Sequence, residues 1–165
     1  MATPVADKDI RTAIAADITT VIGAGPKIYP WNCLNYKMTP DGKPDFSDWP
    51  GLFRYGTNSE FTHGWVIKRV ERTSELRGDC QDFMPAYDIW GFYGFFSNSK
   101  DDNSEDLWSV IIDAVADHFN RGQLLIVNGI GLSHTGLQFP ILPILRAGQE
   151  MLHFAGGRLE FTFGD

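Results

Sequence analysis

The sequence predicts an α+β fold: a mainly antiparallel sheet with a long β-hairpin, packed against two main helices. Three observations carry that expectation. Apolar residues recur at helical spacing in two segments, 5–22 and 105–121. Between them, 62–72 and 83–96 read as two long strands joined by a polar connection, 73–82. Beyond the second helix the chain is strand-like over 124–163. Helix, hairpin, helix and then strands gives helices packed on an antiparallel sheet, within one domain spanning 1–165.

The first helix is marked by Ile10, Ile14, Ile18, Val21 and Ile22, which fall on one stripe. Asp7 and Asp9 lie at its start, where negative charge suits the helix dipole. Gly23 and Gly25 end it, and Pro26 enforces the stop. A short strand over 27–29 follows. Residues 30–56 form a long loop, broken by Pro40, Gly42, Pro44, Pro50 and Gly51. It carries Trp31, Tyr36, Phe46, Trp49, Phe53 and Tyr55, which either fold back on the chain's own core or dock on a neighbour.

Aromatics crowd the second arm of the hairpin: Phe83, Tyr87, Trp90, Phe92, Tyr93, Phe95 and Phe96. From Ile89 onward apolar residues fall on both parities, so both faces of the strand need cover. That cover comes from the core or from a partner. Trp65, Tyr87, Trp90, Phe92, Tyr93 and Phe95 of the hairpin, with Trp49 and Phe53 of the loop, are therefore the candidate subunit contacts.

The second helix is expected to bury Leu107, Trp108, Ile111, Ile112, Val115 and Phe119. Asn103 or Ser104 is expected to cap it, and Gly122 to stop it. Strands are expected over 124–127, over 136–145 with interruptions at Pro140 and Pro143, and over 151–163. In the last of these Leu159, Phe161 and Phe163 alternate with Glu160 and Thr162.

Composition narrows the function. A chain that is 43% hydrophobic and 21% charged is neither disordered nor a coiled coil. No apolar run reaches the ~20 residues that span a bilayer, and residues 1–9 lack the basic and apolar regions of a signal peptide. The net charge of −7, with Lys68, Arg69, Arg72 and Arg77 interrupted by acids, argues against a nucleic-acid-gripping groove. Cys33 and Cys80 have no Cys or His at ligand spacing and read as inert thiols.

Motifs that carry chemistry fail on their own geometry. A calcium loop starting at Asp101 and Asn103 puts Asp106 where glycine is needed and Ile112 where the bidentate glutamate belongs. Gly129 and Gly131 suggest a dinucleotide turn, but His134 takes the third glycine position, and Pro140 and Pro143 preclude the helix that must follow. His63, His118, His134 and His153 share no metal-ligand spacing and read as surface or boundary residues, His153 the most buried. Asp82 and Asp88 have a spacing that suits solvent-facing carboxylates as well as a catalytic pair. No nucleophile elbow is present. The expectation is a chain without catalytic, cofactor or metal sites.

As an ordered set, several segments resemble the tail terminator and tail-completion (head–tail joining) proteins of long-tailed bacteriophages. They are the helix 9–22, His63-Gly64-Trp65-Val66-Ile67, Tyr87-Asp88-Ile89-Trp90-Gly91-Phe92-Tyr93, the helix 106–119, and Leu152-His153-Phe154-Ala155 leading into 159–163. The loop 30–56 is longer than that family's pattern. The resemblance implies a homo-oligomeric ring, typically a hexamer, that caps the tail tube protein and faces the head–tail connector protein. It implies no catalytic residue, a place in the virion after assembly in the host cytoplasm, and DNA passing through the lumen without specific binding. A neck ring, or another tail part such as the tube subunit, shares that context. A small enzyme or ligand-binding domain built from His63, Asp88 and His153 is the reading from a different class.

Overall fold

Isoleucines four residues apart wind the first segment into α1 (Asp7–Ile22), with Ile10, Ile14 and Ile18 fully buried along one narrow stripe. Gly23 ends the helix at φ +83°, a left-handed conformation that glycine adopts without a steric cost. The computed structural model describes residues 5–30, 37–38, 40–42, 44–45, 53–56, 61–76, 83–97, 103–147 and 150–162. Expectations for Trp31, Cys33, Tyr36, Phe46, Trp49, Cys80, Asp82 and Phe163 lie outside these residues.

Next come β1 (Lys27–Pro30), β2 (Lys37–Met38), β3 (Pro44–Asp45) and β4 (Arg54–Tyr55). The hairpin arms are β5 (Phe61–Leu76) and β6 (Phe83–Ser97). After α2 (Ser104–Asn120) follow β7 (Leu124–Val127), β8 (Ile130–Ser133), β9 (Gln138–Ile141), β10 (Ile144–Ala147) and β11 (Glu150–Thr162). The main sheet runs β1-β5-β6-β11-β10, with β4 added on β5 and β9 on β11. Only β1 on β5 is parallel among these pairs; the others are antiparallel. The α+β expectation holds.

The strand expected over 136–145 is two strands, β9 and β10, divided at Leu142 and Pro143, although the Pro143 carbonyl still accepts a 2.9 Å hydrogen bond from the Phe154 amide. The long loop contributes the β2–β3 pair and β4, which pairs Arg54 with Thr62 and Tyr55 with Phe61. Neither expected cap on α2 forms. Asn103 occupies the cap position without a side-chain bond to the helix, and the Ser104 hydroxyl meets His153 instead.

One face of the sheet carries both helices. His63, Trp65 and Ile67 of β5, Trp90, Phe92 and Phe96 of β6, and Ala155, Leu159 and Phe161 of β11 point into a core that Ile10, Ile14, Ile18, Trp108, Ile112, Val115 and Phe119 complete. Gly94 makes this packing possible: a Cβ there would lie 2.7 Å from the Trp108 ring and 2.9 Å from that of Trp65. Those two indoles meet at 5.7 Å between centroids. The opposite face is smaller, with Phe53 laid over Gly64 and packed with Val66, Phe95 and Leu152.

The helices run antiparallel. Asp17 of α1 faces His118 of α2 at 3.7 Å, while Val21 and Ile22 share a cleft with Val110, Ile111 and Ala114. The β7–β8 hairpin lies at the other end, where Asn128 donates a 3.0 Å hydrogen bond to Asp9. No helix among the described residues is long and apolar enough to cross a membrane.

Candidate interface and its buried supports

Most residues expected to reach a partner are sealed inside one chain. Trp65, Trp90, Phe92 and Phe53 have no exposed surface, and Phe95 is 8% exposed. In this conformation none of the first four can touch a neighbour. The need for cover on both faces of the hairpin was legible, but the cover is intramolecular: two helices on one side, the Phe53 segment on the other. Tyr93 is half-buried and stacks on Phe154 at 6.3 Å. Tyr87 takes a ladder position between Thr73 and Thr162. Trp49 lies outside the described residues.

The small hairpin β7–β8 behaves in the opposite way. Asn128 at φ +51° and Gly129 at φ +81° form the tight two-residue turn that an Asn-Gly pair favours. Leu125, Val127 and Leu132 face the core, whereas Leu124 and Ile126 point outward at 48% and 56% exposure. Gly131 lies opposite Ile126, and the Leu124 side chain leans across the space it leaves. Ile130, at the tip, is also half-exposed. Sequence reasoning read Gly129 and Gly131 as a failed phosphate turn. The Asn-Gly dipeptide between two apolar runs was the signal that could have found this hairpin.

At the far end of the helices lies a cleft of about 310 Å³, lined by Val21, Ile22, Pro26, Val110, Ile111 and Ala114, with Tyr55, Phe96 and His63 contributing. His63 is nearly inaccessible, and burial pushes its pKa down to about 4, so the ring is neutral near pH 7. Its Nε2 accepts a 3.0 Å hydrogen bond from the Trp65 indole, which leaves the ring proton on Nδ1. The cleft therefore presents apolar walls and no formal charge from its lining residues.

Three of the four histidines are buried, against the surface or boundary positions expected for them: His63, His134 and His153. Burial lowers the pKa of His134 and His153, against the pull of Asp17 and Glu105 respectively. The His134 Nδ1 accepts from the Gly136 amide at 3.1 Å. Its Nε2, like the indole nitrogens of Trp90 and Trp108, has no hydrogen-bond partner among the described residues.

His153 pairs with the Ser104 hydroxyl at 3.0 Å, an arrangement with the reach of a nucleophile and its base. Both residues are about 95% buried, which leaves a reactant no approach, and the bond ties β11 to the first turn of α2. The set His63, Asp88 and His153 does not converge. His63 and His153 flank Phe96 in one cross-strand row, while Asp88 lies eight positions away along β6, roughly 26 Å at ~3.3 Å per residue.

Asp88 is fully buried rather than solvent-facing, on the same side of β6 as Trp90 and Phe92, and a bulge in β5 supplies its partner. Between Arg69 and Glu71 the β5 ladder slips by one residue, so Val70 is extra and Arg69 and Arg72 share the helix-facing side. Arg72 grips Asp88 with two hydrogen bonds of 2.5 and 2.6 Å and reaches Asp7 at 3.2 Å. Arg69 bonds Asp7 as well. The Asp88 bond and the nearby carboxylates raise the Arg72 pKa, against the opposing effect of burial. This cluster fastens the α1 N-terminus to the sheet.

No group of three or more His, Cys, Asp or Glu able to hold a metal ion occurs among the described residues. Compared with known proteins, the chain matches no family model and no curated sequence.

Proposed function

We propose that this chain is a structural subunit of a long-tailed bacteriophage virion: a tail terminator, whose copies form a ring, six in number, that caps the tail tube and faces the head connector. The observation that carries this is the exposure of large apolar side chains on a chain of net charge −7. Leu107, Val110, Leu124, Ile126, Ile130 and Ile144 are each 48–66% exposed, and apolar side chains left in solvent in such number suit a chain that associates.

The order of elements supports the same reading. A helix, the two arms of a long hairpin, a second helix and a closing strand follow one another in the order of the segments that carry the resemblance. The role needs assembly surfaces and a stiff sheet, not a reactive centre. The acidic balance suits a channel through which DNA slides without being held.

Negative-stain imaging and native mass measurement of the purified protein, alone and with tail tubes, test this. Closed six-membered rings, or tubes capped by one ring, are expected. A monomer that leaves added tubes uncapped would sink the proposal. Abundance in purified particles separates one ring's worth from a tube subunit's many.

A further inference from the structure

We infer that the ring is closed head to tail, the β7–β8 hairpin of each copy seating in the apolar cleft between the α1 C-terminus and α2 of the next. This rests on the ring-forming function proposed above and assigns its surfaces.

Residues 122–145 contain no Asp, Glu, Lys or Arg, 24 consecutive positions in a chain that is 21% charged. Leu124, Ile126 and Ile130 nonetheless stand half in solvent within that stretch. A surface segment stripped of charge while holding exposed aliphatics has the composition of an interface centre. The cleft is its counterpart. Its walls are mostly apolar, and its 310 Å³ lies at the bottom of the ~300–1,000 Å³ range of small-molecule pockets. A cleft of that size suits a few inserted side chains, and the neutral His63 offers a charged ligand nothing to bind.

The exposed apolar residues also sort to opposite ends of the chain. Val70 on the β5 bulge joins Leu124, Ile126 and Ile130 at the hairpin end. Phe61, Leu107, Val110, Ile144 and Met151 lie at the cleft end, by the ladder row of His63 and His153 or on the first turns of α2. A chain's own β7–β8 hairpin cannot reach its own cleft, because the hairpin is anchored at Asp9 and the cleft begins at Val21, twelve residues or about 18 Å along α1. Two different patches at opposite ends of one subunit make a heterologous contact, the kind that closes a ring when its rotation allows.

Ile126→Lys breaks the knob and Ala114→Arg blocks the cleft. Native mass measurement is expected to show closed rings for the wild type and only folded monomer for each variant. An equimolar mixture of the two is expected to give one-to-one dimers and nothing larger, since one intact hairpin and one intact cleft remain. If Ala114→Arg disturbs the fold, Val110→Lys at the cleft rim replaces it. Variants that still form wild-type rings would overturn the surface assignment and leave the ring standing. A mixture that stays monomeric would overturn the head-to-tail pairing. A wild type that stays monomeric with or without tail tubes would overturn both.

Discussion

The two hairpins of this molecule invert the usual association of aromatics with interfaces. The long hairpin β5–β6 holds Trp65, Trp90, Phe92 and Phe95, yet these residues are covered by their own chain on either face of the sheet. The short hairpin β7–β8 holds no aromatic residue and leaves the aliphatic Leu124 and Ile126 in solvent. Aromatic density here reports the volume that two packed layers must fill. The better marker of association is apolar surface left open where charge has been removed.

That contrast is sharpest when broken at the long hairpin. Trp65→Ala removes an indole packed against Trp108 and Phe139, and is expected to cost about 3–5 kcal/mol by urea unfolding, much of the stability of a domain this size. Arg72→Met leaves the Asp88 carboxylate buried without its guanidinium, and a loss of about 3 kcal/mol is expected. If that variant unfolds at the wild-type urea midpoint, the cluster is not a clamp on α1.

Acid probes the same hairpin through His63. Its pKa is about 4 folded and near 6.5 unfolded, so the folded state resists protonation. The stability this gives is complete above pH 6.5 and is lost as pH falls toward 4. At about 1.4 kcal/mol per unit the loss reaches about 3 kcal/mol. Comparing the wild type with His63→Gln at pH 7 and pH 4 isolates this from the carboxylates, and an equal acid loss in both would exclude it.

At the short hairpin the effects on folding shrink. Gly129→Ala places a Cβ on a residue at φ +81° and is expected to cost about 1 kcal/mol by thermal unfolding. Ile126→Lys, at an exposed position, is expected to change stability by about 0.5 kcal/mol or less while abolishing assembly. A large stability loss there would mean that the hairpin's outer face belongs to the fold.

The helices were legible because Ile10, Ile14 and Ile18, and Trp108, Ile112, Val115 and Phe119, repeat at the helical period. So was the long hairpin, whose arms run slightly beyond the expected limits. Asp88 shares the parity of Trp90 and Phe92, so its buried side was readable along β6, but its partner was not: a bulge at Val70 cannot be seen in a period-two pattern, and the slip alone brings Arg72 round to it. His153 was expected to be the most buried histidine, but the burial of His63 and His134 was missed, because no local pattern marks a ring packed in a cross-strand row, as His63 is beside Phe96. The outward face of β7–β8 escaped notice because Leu124 and Ile126 look no different in sequence from the buried Leu125 and Val127. Only the strand's orientation separates them.

The position of β11 has a consequence during synthesis. It is the last strand described, yet it takes an interior place, between β6 and the β9–β10 strands. From Ser97 to Glu150 the ribosome adds 53 residues, roughly 3–10 s at about 5–20 residues per second. Throughout that interval β6 has a bare hydrogen-bonding edge and unfilled room beside Trp90 and Phe92. Nascent chains on one message, each waiting for its own final strand, are then able to pair with one another. A premature stop before residue 150 would make that state permanent, converting an assembly part into an aggregation seed.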